Sequence, residues 1–269
     1  MELNVKAVIA AKNPKLLKWI PRFIVRWLEK TIHQDEMNSF YQTRQHLPSL
    51  EFAHETVKLF NPTITINHEE NIPKTGRYIV VSNHPLGGLD GISLVSIIGK
   101  HRSDIKVPVN DLLLFVEPLK EIFVPIAKVG KHSRKNMEQL EQVFKGDDLI
   151  IYFPAGLCSR RKKGVIRDPA WKKTIIAKAR ENNRDIIPVY FDGHNSNWFY
   201  NLSNFRKKIG IKTNIEMLYL VDEMYRQNGN SFTVTFGKPI SCQTFDKTKS
   251  DAEWALWLQE EVYQLKIKN

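Results

Sequence analysis

The sequence predicts an α/β fold with a mostly parallel sheet flanked by helices. Short apolar, strand-like runs alternate with helix-like segments along most of the 269 residues, and this alternation is typical of parallel sheets covered by helices. The connections are short, and no internal repeat or low-complexity linker interrupts the pattern. The length suffices for one sizeable α/β domain that carries a helical extension.

The first predicted element is an amphipathic helical segment at residues 15–31. Apolar residues recur there at helical spacing with basic residues between them, and Pro21 should break or kink the helix. This pattern is typical of a helix that lies on a membrane surface, although a helix that packs on its own domain can share it. We predict that residues 1–45 form amphipathic, membrane-associating helices and that residues 46–269 form the main domain.

Six strands and five helices are predicted after this segment. The strands lie at 63–67, 77–82, 105–109, 149–153, 186–191 and 232–236, and the helices lie at 92–101, 111–122, 133–144, 170–181 and 251–265. Pro188 falls inside one strand-like run, which favours an edge strand or a strand end, because proline cannot donate to a sheet ladder.

The composition is that of a globular protein with excess positive charge. Hydrophobic residues make up 42% and charged residues 26%, and the formal net charge is +11. This charge implies an anionic partner, which could be nucleic acid, a membrane surface or a substrate. The basic residues are scattered without a zinc or recognition-helix pattern, so nucleic-acid binding is the weaker alternative. Two cysteines cannot form a disulfide framework, no secretory signal is visible, and no run approaches the ~20 apolar residues of a membrane-spanning helix.

A histidine and an aspartate follow the second predicted strand. Asn83 and His84 come directly after the apolar run, and Asp90 lies six residues after His84. A carboxylate can hold an imidazole in one tautomer and stabilise its protonated form, so the pair suits general base catalysis. The two side chains can meet only if Gly87 and Gly88 let the loop fold back. The alternative is a His-Pro turn followed by an aspartate that caps a helix.

A second group of candidates follows the strand at 149–153. A glycine-containing turn ends this strand, and a basic run follows it. Such a turn lets a ligand approach the backbone, and basic side chains suit an anionic group, although a charge run is more often a solvated loop. The candidates are Phe153, Pro154, Ala155, Gly156, Ser159, Arg160, Arg161 and Lys163, together with Lys131 and Arg134 from the segment 124–136.

Taken in order, these blocks resemble the glycerolipid acyltransferase family, which includes the lysophosphatidic acid acyltransferases. The family pattern is Asn-His, a short spacer and Asp; a block with a basic residue; Phe-Pro-Glu-Gly-Thr-Arg; and an apolar Val-Pro-Val strand. The corresponding positions here are Asn83, His84 and Asp90, the segment 128–135, and the runs 153–156 and 187–189. The resemblance covers residues 75–195 and implies an acyltransferase-like fold in which His84 and Asp90 are catalytic.

Two departures from the family pattern bear on the substrate. The spacer between His84 and Asp90 is one residue longer than usual, and Ala155 replaces the family's glutamate. The family's third block is associated with binding the acceptor's glycerol phosphate. The residues that usually bind this phosphate are therefore missing, although Arg160 and Arg161 follow the block. Both blocks are similar to those of a bacterial subgroup related to the O-acyltransferases of ornithine and glycine lipid synthesis, which acylate the hydroxyl of a 3-hydroxyacyl amino acid.

The resemblance implies an enzyme of membrane lipid biosynthesis that moves a fatty acyl group from a thioester to a lysolipid hydroxyl. We expect acyl carrier protein or coenzyme A as the acyl carrier, with no other cofactor, no metal and no nucleic acid partner. The expected acceptor is a lyso-amino-acid lipid, and lysophosphatidic acid is the alternative. The expected location is the cytoplasmic face of the inner membrane, where the protein would lie peripherally on an anionic surface without spanning it.

Further expectations concern the shape of the site. Asn83, Gly87, Gly88 and Pro188 are expected to contact substrate, and a backbone N–H near Gly156 is a candidate oxyanion donor. Leu86, Leu89 and the helix predicted at 111–122 are expected to line the acyl chain. A thioesterase that uses Cys158 as nucleophile with His84 is a further alternative, because a cysteine beside arginines can have a depressed pKa.

Overall fold

The computed structural model describes residues 3–12, 19–110, 113–126 and 133–266. The strands are β1 (Thr63–Asn67), β2 (Tyr78–Ser82), β3 (Ile105–Val109), β4 (Phe123–Pro125), β5 (Leu149–Tyr152), β6 (Arg160–Lys162), β7 (Val165–Arg167), β8 (Asp185–Asp192) and β9 (Ser231–Phe236). Seven of them form one sheet in the order β1-β9-β8-β2-β5-β3-β4, and β6 pairs with β7 in a separate hairpin. All neighbours in the large sheet run parallel except β8 and β9, which confirms the predicted mostly parallel α/β fold.

Ten α-helices are described. They are α1 (Val5–Lys12), α2 (Arg22–Thr31), α3 (Gln34–Arg44), α4 (Ser49–Leu59), α5 (Leu89–Ile98), α6 (Ser133–Lys145), α7 (Thr174–Glu181), α8 (Asn197–Lys208), α9 (Leu220–Arg226) and α10 (Asp251–Gln264). As expected, Pro21 interrupts the N-terminal pattern, and α2 begins directly after it. Residues 15–18 of the predicted segment lie outside the described residues. None of the described helices combines the length and apolar character needed to cross a bilayer.

Helices cover both faces of the sheet, so the parallel strands are buried on both sides. Along β2, Ile79 and Val81 pack into the layer that contains α7 and α10, whereas Val80 packs into the layer that contains α4 and α5. Double-sided burial of this kind explains why the strands are almost continuously apolar in sequence. It also fixes the carboxyl ends of β2 and β5 beside each other, because these strands are direct parallel neighbours.

The boundary predicted at residue 45 falls between two helices that share a core. Phe40 of α3 is buried in the same cluster as Phe52 of α4, and their ring centroids are 5.6 Å apart. Val25 of α2 is also buried. The division of the chain into residues 1–45 and 46–269 stays a prediction.

Two predictions about local structure are wrong. Residues 111–122 do not form an α-helix where they are described; they form two 3-10 turns, Leu113–Phe115 and Glu117–Leu119, because Pro118 lacks the N–H that an α-helix requires. Pro188 does not lie on an edge strand, since β8 is between β2 and β9. The β8–β9 ladder pairs Val189 with Phe236 but Ile186 with Ile240. The extra residue on the β9 side forms a bulge that accommodates the proline.

Candidate active site

The candidate site lies at the carboxyl ends of β2 and β5. His84 follows β2 by two residues, and Phe153 follows β5 directly. Because the strands are parallel neighbours, the two rings meet and stack, with their centroids 4.2 Å apart and their planes inclined by 29°. Ligands of α/β proteins commonly bind at this edge of the sheet.

His84 is paired with Asp90. The Nδ1 atom of His84 lies 3.0 Å from the Oδ2 atom of Asp90, whose side chain is fully buried in the first turn of α5. Asp90 also accepts hydrogen bonds from the backbone N–H groups of Leu86 at 2.9 Å, Gly87 at 3.3 Å and Gly91 at 2.8 Å. No hydrogen bond joins Nε2 of His84 to any described residue, and the ring is 18% exposed, so Nε2 is the nitrogen that can meet a substrate.

The two glycines allow the loop between His84 and Asp90 to fold back. Gly87 has a φ of +78°, and a Cβ atom there would lie 3.0 Å from both Cys158 and Leu220. A Cβ atom on Gly88 would lie 2.8 Å from the sulfur of Met224. The loop is therefore packed closely against α9 at both positions, and Gly87 requires glycine because of its positive φ.

The charges of the pair stabilise each other. Burial lowers the pKa of His84, but the Asp90 carboxylate, its hydrogen bond and the carboxylate of Asp168 outweigh that effect, so the pKa of His84 is raised. Burial raises the pKa of Asp90, but His84 and the backbone N–H groups of the loop outweigh it, so the pKa of Asp90 is lowered. A protonated imidazole at this position is thus stabilised by its surroundings.

Asp168 is a second buried carboxylate at the site, and sequence reasoning missed it. Its oxygens accept hydrogen bonds from the backbone N–H of His84 at 3.2 Å, the hydroxyl of Ser159 at 2.5 Å and the indole N–H of Trp171 at 3.0 Å. Its own N–H donates to the hydroxyl of Tyr263 on α10 at 2.8 Å. Burial raises the pKa of Asp168 although these donors lower it. In sequence, this residue reads only as a polar position before Pro169.

Several residues predicted to contact substrate are bonded to other parts of the protein. Asn83 is buried, and its amide exchanges two hydrogen bonds with the backbone of Phe191, which fastens the catalytic loop to β8. Ser159 is buried on Asp168, and its N–H donates to the carbonyl of His84 at 2.7 Å. These two residues hold the loop from opposite sides. Pro188 lies within β8, three residues before Phe191.

Arg160 was a candidate for binding an anionic head group, but its guanidinium points inward. It bonds to Glu216 at 3.0 Å and to the carbonyl of Cys158 at 2.7 Å. Arg206 bonds to the same fully buried glutamate at 2.5 Å. Arg160 is therefore paired with an internal carboxylate that it shares with Arg206, and it belongs to a buried ion cluster behind the loop that carries His84.

The remaining basic candidates lie apart from His84, on the protein surface and in the β6–β7 hairpin. Arg161 is engaged by the side chains of Asn197 and Asn201 on α8. Lys163 occupies the exposed turn of the β6–β7 hairpin, with a φ of 49°. Arg134 is exposed and pairs with Glu138. Lys131 lies outside the described residues. None of these described side chains contacts His84 or Asp90.

The turn after Phe153 has no free donor at Gly156. The N–H of Gly156 itself donates to the carbonyl of Phe153 at 3.0 Å, and an oxyanion donor among the neighbouring N–H groups stays a prediction. Pro154 and Ala155 are buried beside it. Leu86 and Leu89 are also fully buried in the main core cluster, and their contact with the acyl chain stays a prediction.

Cys158 has the properties of a packing residue. It is 1% exposed, and burial raises the pKa of its thiol to about 11 in spite of the neighbouring Arg160. A nucleophilic cysteine needs an accessible thiolate, so this environment argues against the thioesterase alternative.

Comparisons with known proteins fit this geometry. Residues 7–268 match the model of a family described as Acyltransferase. The chain is 46% identical to a lyso-glycine lipid O-acyltransferase from Bacteroides thetaiotaomicron, over 98% of this chain and 97% of that protein. It is 44% identical to a protein of the same description from Phocaeicola vulgatus, over 98% and 95%. The crystal structure of a 1-acyl-sn-glycerophosphate acyltransferase from Thermotoga maritima shares the fold, with a TM-score of 0.53 at 16% identity over 82% of this chain and 79% of that one.

Proposed function

This chain belongs to the acyltransferase family, and from that premise we propose that it transfers a fatty acyl group from a thioester to the hydroxyl group of a lyso-glycine lipid. The observation that carries the reaction type is the His84–Asp90 pair, in which Asp90 binds Nδ1 and leaves Nε2 available. The similarity of nearly the whole chain to two lyso-glycine lipid O-acyltransferases supports the acceptor.

In the proposed reaction, Nε2 of His84 takes the proton of the acceptor hydroxyl while the hydroxyl oxygen attacks the thioester carbon. The carbon–sulfur bond then breaks, and the thiolate of the acyl carrier leaves with the proton that His84 returns. Asp90 holds the ring and stabilises the imidazolium between these steps. No covalent intermediate with the enzyme is needed.

The ion cluster behind the loop supports an acceptor that carries a single negative charge. A phosphate group is usually held by free cationic side chains that donate to several of its oxygens. Here the guanidinium of Arg160 is bound by Glu216, and Cys158 occupies the position of the arginine in the family's third block. A carboxylate head group demands fewer cationic donors than a phosphate, which agrees with a lyso-amino-acid lipid.

The donor and the location complete the proposal. The donor is the thioester of acyl carrier protein or of coenzyme A; both carriers are anionic and suit a chain with a net charge of +11. The protein lies peripherally on the cytoplasmic face of the inner membrane. The exposed Trp19 and Phe23 beside the basic residues of α2 support this location.

The test is acyl transfer by the purified protein. Labelled acyl-acyl carrier protein and acyl-coenzyme A are supplied in parallel to lyso-glycine lipid, lyso-ornithine lipid or lysophosphatidic acid. We expect transfer to lyso-glycine lipid with at least one donor, and a loss of about 10²-fold or more in His84→Ala, because general base catalysis is typically worth that factor.

A matched control exists outside the site. His101 also pairs with a carboxylate, that of Glu69 at 2.8 Å, and His101→Ala should keep the parent activity. Strong preference for lysophosphatidic acid would overturn the proposed acceptor. More than about a tenth of the parent activity in folded His84→Ala would overturn the assignment of His84 as base.

A further inference from the structure

Exposed aromatic residues form a stripe along the N-terminal helical region. Phe23 and Trp27 are four residues apart, so they lie on one side of α2, and Trp19 precedes Pro21 just before this helix. Trp19 is 85% exposed and Phe23 is 72% exposed. A monomeric soluble protein rarely exposes large apolar side chains side by side, and such patches usually mark interaction sites.

The stripe continues onto a distant part of the chain. The ring of Trp27 contacts that of Tyr219 edge-on, with centroids 5.8 Å apart, and Tyr219 contacts Trp198 of α8 in the same way at 6.0 Å. Phe205, seven residues after Trp198, lies on the same side of α8 and is 59% exposed. We call Trp19, Phe23, Trp27, Trp198 and Phe205 the aromatic surface.

Basic side chains accompany the aromatic surface on both helices. Arg22 and Arg26 are exposed beside the stripe on α2. Two further basic groups flank α8: Lys207 and Lys208 at its carboxyl end, and the β6–β7 hairpin, which Arg161 joins to α8. Residues 159–167 and 197–214 contain no acidic residue. These two segments therefore carry only positive charge, and the nearest acidic residues on α9 have partners of their own, Asp222 with His33 and Arg226, and Glu223 with Ser196.

The aromatic surface also lies next to the catalytic loop. Tyr219 ends a 3-10 helix that continues directly into α9. On the inner side of α9, Leu220 and Met224 pack against Gly87 and Gly88 of the loop that carries His84. A partner seated on the aromatic surface is thus separated from the catalytic loop by one helix.

We propose that the aromatic surface, built jointly by the N-terminal helical region and α8, is where the protein docks onto an anionic bilayer. Tryptophan and phenylalanine interleaved with lysine and arginine is the composition of segments that lie in the membrane interface, and the positive charge is complementary to anionic lipids. The inference rests on the proposed function only in that the acceptor is a membrane lipid. It adds α8 as a second membrane-contacting element, far in sequence from the N-terminal helices.

The test is binding to lipid vesicles without donor or acceptor. The parent protein, Trp198→Ser with Phe205→Ser, and Phe23→Ser are sedimented with vesicles of phosphatidylglycerol and phosphatidylcholine in equal parts. We expect either set of serine substitutions to weaken binding at least about tenfold, because interfacial affinity scales with the apolar area inserted. Lys207→Ala with Lys208→Ala should weaken it about fivefold per charge at low salt, and pure phosphatidylcholine should bind the parent weakly.

The control is Leu256→Ser. Leu256 is similarly exposed, but it lies on α10, which packs against α7, and outside the aromatic surface, so this variant should bind vesicles like the parent. The α8 variant should keep its activity on a short-chain, monomeric acceptor and its thermal unfolding midpoint. Parent-like vesicle binding by the folded α8 variant would overturn the proposal, as would a loss of binding to acidic acyl carrier protein with vesicle binding intact. Vesicle binding is measured without donor or acceptor. Its result therefore does not depend on whether lyso-glycine lipid proves to be the acceptor.

Discussion

Replacing Asp168 by Asn should change catalysis far more than stability. The carboxylate of Asp168 holds the backbone of His84, and its charge is one of those that raise the pKa of the imidazole. The other charged groups that face His84 are Asp90, which also raises its pKa, and Arg160, which lowers it. Asparagine has the same shape as aspartate but removes one negative charge from this set.

The effect on stability follows from the hydrogen bonds and the burial of Asp168. Its three donors should lose about 1 kcal/mol each when the acceptor becomes neutral, because bonds to charged groups are worth about 1.5–3 kcal/mol and neutral bonds about 0.5–1.5 kcal/mol. Against this, a buried charge costs several kcal/mol. The hydroxyl of Ser159 can turn from donor to acceptor for the new amide N–H. We therefore expect the free energy of unfolding to change by less than about 2 kcal/mol.

The sign of the pH effect can be worked out from the pKa shifts. Folding raises the pKa of Asp168, so the contribution of this carboxyl to stability falls as the pH rises through that pKa, and its charge is unfavourable at neutral pH. The same charge raises the pKa of His84. Since only the neutral imidazole can act as a base, the acid limb of the kcat/KM profile should move to lower pH in Asp168→Asn.

The assay is the pH dependence of kcat/KM for acyl transfer, which reports the ionisation of the free enzyme. Ser159→Ala is the control, because it keeps the charge on Asp168. The acid limb of the kcat/KM profile should lie at the same pH in this variant as in the parent. Asp168→Ala should lose about 2–6 kcal/mol of stability, because the N–H groups of His84 and Trp171 become unpaired. An acid limb that is unchanged or moved to higher pH in Asp168→Asn would refute the electrostatic coupling.

Three further changes test the loop and the fold. Asp90→Asn should lower kcat by about 10²-fold or more with KM little changed, since the amide cannot stabilise the imidazolium; a steady-state comparison that shows an effect on KM alone would contradict this. Gly87→Ala should destabilise the protein by about 1–3 kcal/mol, as judged by chemical unfolding, because the position combines a φ of +78° with contacts at 3.0 Å. Ser250→Ala should cost about 1 kcal/mol by removing the capping box of α10, and unchanged activity per folded molecule should accompany the lower thermal midpoint.

Much of the fold could be predicted because its signals are local. The bounds of β1 and β3 agree with the predicted strands at 63–67 and 105–109, since apolar runs and polar ends mark them directly. The His84–Asp90 pair could be anticipated because Gly87 and Gly88 lie between the two residues and allow one loop conformation. The wrong prediction of a helix at 111–122 shows the limit of such local patterns. The spacing of apolar residues indicated a helix there, although Pro118 is unfavourable for one.

The roles of the polar residues could not be predicted in the same way, because they depend on contacts between distant segments. Asp168 reaches His84 across 84 positions, and Arg160 reaches Glu216 across 56. A basic run in sequence gives no sign that one arginine turns inward in a short hairpin and meets a buried carboxylate. Ser159 was a candidate because it lies in the segment after β5, but its hydroxyl donates a hydrogen bond to Asp168.

The longer spacer between His84 and Asp90 has a structural use. With five residues in the spacer, the loop curls far enough for the N–H groups of Leu86 and Gly87 to donate to the same Asp90 oxygen that binds His84. These donors help to keep Asp90 charged in a fully buried position, against the cost of burial. The curl also brings Gly87 and Gly88 under Leu220 and Met224 of α9. The loop therefore joins Asp90 to the helix beneath the aromatic surface, so that the geometry of His84 depends on the packing of α9 as well as on the loop itself.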